Sequence, residues 1–117
     1  MKLNSVFLIL VISIFFCSCR KDKVQVLLPP QQCADTVYFS TQILPMIQNN
    51  CIGCHSVGNG FEIELTNHAQ ISSNADACFN SMTGSGGYTL MPYGGPKLSD
   101  SLIDIFNCWV VQGKLNN

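Results

Sequence analysis

The sequence predicts an all-α domain, and three observations carry that prediction. Ser99 to Gly113 combines a polar start, an apolar stripe and a glycine stop. Earlier in the chain, Ile43, Leu44, Ile47 and Cys51 recur at helical spacing. The one alternating stretch, Phe61 to Leu65, has no second strand with which to pair.

In order along the chain, Met1-Lys2 and the apolar run from Val6 to Phe16 read as a signal peptide over residues 1–18. Eleven residues, all apolar but Ser13, are too few for a hydrocarbon core that needs about 20. The run ends in Phe16-Cys17-Ser18-Cys19, which resembles a bacterial lipoprotein box. Cys19 is then the lipidated first residue of the mature chain, because Ser18 suits the peptidase better than the bulky Phe16 ahead of Cys17. Residues 19–32 read as a tether: Arg20, Lys21 and Lys23 lie beside the anchor, and Pro29-Pro30 favours extended backbone. The domain is expected over residues 33–117. It should contain a turn around Val37 to Gln42, then a helix from Leu44 to Asn50 with Pro45 in its first turn. Ser56 to Gly60 is loop, Phe61 to Leu65 is extended, and Thr66 or Asn67 caps a helical turn through Ile71. Asp76 to Met82 forms a further short helix, stopped by Gly84-Ser85-Gly86-Gly87. In the last helix, Ser99 caps, Asp100 and Asp104 suit the dipole, and Leu102, Ile105, Phe106, Trp109 and Val110 share a face. That face is expected to pack on the first helix.

The chemistry concentrates in Cys51-Ile52-Gly53-Cys54-His55, the attachment motif for c-type haem. Thiols three positions apart sit on one turn of backbone and can add across the two vinyl groups of one porphyrin. His55 then supplies the proximal imidazole, and Gly53 leaves room for the porphyrin edge. Met91, among the glycines and prolines of Leu90 to Pro96, is the candidate distal ligand, a soft thioether that favours ferrous iron. His68 is the runner-up, against an ordinary surface histidine; Met82 stands behind Met91, and Met46 is too near the motif in sequence. Three other readings of the cysteines compete: a Cys51–Cys54 disulfide, half of a zinc site, or a thioredoxin-type pair. Zinc lacks two further ligands at recognisable spacing, and a redox pair lacks a βαβ setting.

The other cysteines fit an oxidising compartment. Cys33, Cys78 and Cys108 remain after haem and lipid are assigned, and sequence leaves their pairing open. We favour Cys33–Cys108, which would staple the start of the domain to its last helix. From Cys33 onward two lysines stand against six carboxylates, a charge of −4. This argues against nucleic acid as a partner.

From Asp35 to Asn117 the chain resembles the small monohaem c-type cytochromes, particularly the single-domain lipoprotein cytochromes of Bacteroidetes-like bacteria. The residues that carry the resemblance are Val37-Tyr38-Phe39, Leu44-Pro45, Asn50 to His55, Leu65-Thr66-Asn67, Met91 to Gly95, Leu98-Ser99-Asp100 and Trp109 to Gly113. It implies a cytochrome c-like all-α fold of three to four short helices wrapped around one covalently attached haem. Where the family commonly places a proline after His55 this chain has none, so another backbone carbonyl must take the ring N–H. Tyr93 stands where a second proline is common.

The expected function is electron transfer by a membrane-tethered protein with one haem c, His55 and Met91 as axial ligands, and redox proteins as donor and acceptor. Ile47, Phe61, Leu65, Leu90, Phe106 and Trp109 are expected to enclose the haem. No set of acid, base and nucleophile suggests an enzyme. The expected location is the periplasmic face of a membrane, the outer one by analogy with lipoprotein sorting. Two alternatives are a haem sensor with an open sixth position and a haem-free, disulfide-stapled lipoprotein.

Overall fold

Pro45 shapes the first helix. It has no N–H to continue an α-helical ladder, and the chain ahead of it winds as a wider π-helix, Phe39–Ile43. Helix α1, Leu44–Asn50, follows directly with the proline in its first turn. This computed structural model describes residues 33–117; the readings of the signal peptide, Cys19 and the tether lie outside the described residues.

A single helical turn, α2 (Ile52–His55), carries the haem-type motif, with the N–H groups of Cys54 and His55 both donating to Cys51 O. Asn67 caps α3, His68–Ser73, by accepting from Gln70 N at 3.1 Å. Helix α4 covers Ala75–Thr83 and stops at Gly84, whose φ of 67° is cheap only without a Cβ. Helix α5, Asp100–Val111, starts at Ser99, whose side chain accepts from Leu102 N. The described residues hold no strand, so the all-α expectation holds at that level. Among the described residues five α-helices and a π-helix stand where three to four helices were expected. Helix α3 is the capped turn expected through Ile71; the surplus is the π-helix and α2, whose four residues are too few to show a hydrophobic period.

Ile43, Ile47, Ile71, Phe106 and Trp109 are fully buried at the centre of one apolar core. The buried face of α5 is Ile103, Phe106 and Trp109, with Leu102, Ile105 and Val110 at its margins. The stripe is thus rotated towards Ile103 from the one expected. Its principal neighbours are α4 and the π-helix, where α1 was expected.

The ends of the domain are tied together. Cys33 and Cys108 form a disulfide with Cα atoms 5.5 Å apart, the favoured pairing. Val37 N donates to Gln112 Oε1 and Phe39 N to Asn117 Oδ1, each at 2.8 Å. The tail after α5 turns back through Gly113, at φ 93°, and Trp109 Nε1 donates to Leu115 O at 2.9 Å. Among the described residues no helix is long and apolar enough to cross a membrane.

Candidate functional site

Cys51 ends the helical ladder of α1 by donating to Ile47 O at 2.8 Å, and its own carbonyl starts α2. The two thiols therefore sit three positions apart on one turn, and both are free. Cys54 is exposed and Cys51 half-buried. Burial pushes the Cys51 thiol up to about 11, because the charged thiolate loses hydration there. Between them, Gly53 has nothing within 4 Å of the place a Cβ would occupy. The backbone is open on that side, as a flat ring lying against it requires.

His55 is held by a carbonyl far along the next loop. Its Nδ1 lies 2.8 Å from Ile63 O. A carbonyl only accepts, so Nδ1 carries the proton and the neutral ring presents its lone pair at Nε2. Nε2 has no partner among the described residues. The loop that brings Ile63 back is anchored twice: Leu65 N donates to His55 O at 2.9 Å, and Asn59 Nδ2 donates to Gly53 O at 3.0 Å and Ser56 Oγ at 2.8 Å. Phe61 flanks the imidazole, ring centroids 5.7 Å apart, and is 57% exposed. The sequence required some carbonyl in place of a proline's but did not say which. Asn59 was missed, since an asparagine among glycines reads simply as loop.

The four methionine and histidine candidates separate clearly. Met46 and Met82 are buried in the core at 5% and 3% exposure. His68 is half-buried rather than free on the surface: Nε2 donates to Lys114 O at 2.8 Å, and its ring meets Phe39 and Trp109 edge-on at 4.8 and 5.9 Å. Its Nε2 is committed to that carbonyl and its ring to those two aromatic side chains. Met91 is half-buried on the loop after α4, its N–H donating to Ser81 O at 2.9 Å.

Helix α4 links the two halves of the site. Cys78 lies on it beside Cys51; its thiol is pushed up to about 12, chiefly by burial and secondly by the Cys51 sulfur. Ser81, which holds Met91, lies one turn further along the same helix, a rise of about 4.5 Å. Of the side chains expected to enclose a haem, Ile47, Leu65, Phe106 and Trp109 are buried together, whereas Phe61 and Leu90 are exposed at 57% and 40%. Among the described residues no three His, Cys, Asp or Glu side chains converge to hold a metal ion. The donor set of two free thiols, one open backbone face and one uncommitted imidazole nitrogen fits a covalently attached haem.

Comparison with protein-family models, with curated proteins and with solved structures finds no match.

Proposed function

We propose that the protein is a membrane-tethered c-type cytochrome that carries electrons between redox proteins. Cys51 and Cys54 would hold the haem covalently, His55 and Met91 axially, and lipid on Cys19 would hold the chain to its membrane. One observation carries the reading. His55 Nδ1 is fixed to Ile63 O, which aims an unprotonated Nε2 from a turn that also carries two free thiols.

When bound, the haem supplies a one-electron couple. The chain's own residues set its conditions. The Ile63 carbonyl makes His55 a more basic donor and fixes its plane. The thioether of Met91 is a soft donor, and its attachment to Ser81 O limits how far the loop can drift. The core that holds Ile47, Leu65, Phe106 and Trp109 packs against Cys51 and would shield the haem from water on that side. His68 has a structural use instead, its Nε2 donating to Lys114 O and its ring packed edge-on against Phe39 and Trp109.

The test is an absorption spectrum of the full chain matured with haem-attachment machinery, taken oxidised and reduced. A Soret band that stays with the polypeptide on denaturation is expected, with a weak near-infrared methionine-to-iron band that disappears in Met91→Ala. A colourless protein, with a mass equal to its lipidated polypeptide, would overturn the proposal.

A further inference from the structure

Residues 77–96, twenty in a row, contain no charged side chain. They make up most of α4 and the whole loop that carries Met91. Within that loop three large side chains stand out in water: Tyr93 at 81%, Tyr88 at 46% and Leu90 at 40% exposure. Elsewhere the described residues have a charge of −4, with six carboxylates and two lysines. The nearest cation, Lys97, is already engaged with Asp100 at 2.9 Å. Tyr38, Val57, Phe61, Val111 and Leu115 are also exposed, but only here do three such groups fall within six residues of an uncharged run, and exposed apolar patches mark contact sites.

Resting on the reading of Met91 as an axial ligand, we propose that the Tyr88–Tyr93 loop is the docking surface for the redox partner. The partner's matching face is apolar and uncharged. Charge complementarity decides the partner's chemistry. A lysine or carboxylate buried against this loop would lose its hydration and meet no opposite charge. An apolar or aromatic face loses nothing of that kind, and Tyr88 and Tyr93 can still hydrogen-bond through their hydroxyls. The loop is also placed for the task, since Met91 lies between Leu90 and Tyr93 and its backbone is held to α4. Contact there brings the partner within a few residues of the ligand.

Two measurements on the full chain test this. The first needs no electron transfer: the neutral nitroxide radical TEMPOL is titrated in, and proton resonances are followed. The uncharged probe should broaden Tyr93, Tyr88 and Leu90 first; broadening centred on Asp35, Glu62 or Asp104 would overturn the proposal. The second uses haem-loaded, reduced protein, oxidised by tris(phenanthroline)cobalt(III) or by ferricyanide, one electron leaving the protein for each metal complex reduced. Tyr93→Ser should slow the phenanthroline reaction several-fold and leave the ferricyanide reaction within twofold of wild type. Tyr38→Ser, which removes another exposed tyrosine (51%), should change neither. Equal slowing with both oxidants, or none, would overturn the docking surface while the haem spectrum still upheld the cytochrome reading. Dimers in sedimentation velocity that vanish in Tyr93→Ser would also overturn it, making a second copy the occupant.

Discussion

Asn59 Nδ2 donates to Gly53 O and to Ser56 Oγ at 3.0 and 2.8 Å, and an aspartate has no proton to donate there. Asn59→Asp should therefore release the loop that holds Ile63 against His55. The expected cost is about 1 kcal/mol, read as a lower urea midpoint of the unloaded chain. His68 provides a second test at this scale. His68→Ala removes the bond to Lys114 O and two edge-on ring contacts, and should cost about 2 kcal/mol. The visible spectrum of loaded protein should stay unchanged; a changed spectrum would make His68 a ligand. The buried thiols set a pH limit on the unloaded chain. Burial raises Cys51 from 9.0 to about 11 and Cys78 from 9.0 to about 12. The folded state thus keeps protons that the unfolded state releases, so stability is full below pH 9 and falls as pH rises towards 12. A urea midpoint that held constant over that range would contradict this. Cys51, Cys54 and His55 were legible in the sequence because their spacing is itself chemical. The residue that holds His55 was not, because Ile63 acts through a backbone oxygen, which any residue has.

The five helices differ in how much of each was readable, and length explains most of the difference. Helix α5 has twelve residues, a serine cap, an acid in its first turn and a glycine beyond its end. Each signal agrees with the others. Ser99→Ala should lower stability by about 0.5 kcal/mol, measured by thermal unfolding, because Leu102 N loses the longer of its two acceptors, Ser99 Oγ at 3.4 Å, and keeps Ser99 O at 3.0 Å. The face of α5 was placed slightly off because periodicity orders residues around a helix without showing which neighbour covers them. Helix α4 is the principal neighbour of α5 and Ile103 is among the buried residues of α5. The π-helix at Phe39–Ile43 read only as a turn. Its wider winding is settled by Pro45 downstream and by Asn117, whose side chain accepts from Phe39 N and whose carbonyl accepts from Ser40 N.

Across the whole domain the disulfide joins residues 75 apart. In the chain-entropy picture, closing a loop of that length restrains the unfolded chain by about 4 kcal/mol. Cys33→Ser with Cys108→Ser should lose stability of that order, seen in the denaturant midpoint, while leaving the Cys51 to His55 turn intact. The same pairing leaves Cys51, Cys54 and Cys78 as thiols. Reduction of the bridge, unlike the double substitution, frees two more cysteines to pair with them, so reoxidation of the reduced, unfolded chain should yield mixed disulfides.

The sequence by itself determined the all-helical class, the turn that carries two thiols and an imidazole, and the long terminal helix. Those features depend on contacts within a few residues, which composition and spacing record directly. Only the tertiary structure decided that Ile63 orients His55, that His68 packs against Phe39 and Trp109, and that α4 lies beside both Cys51 and the Met91 loop. Each of these depends on groups far apart in the chain, or on backbone atoms common to every residue, and local pattern holds no trace of either.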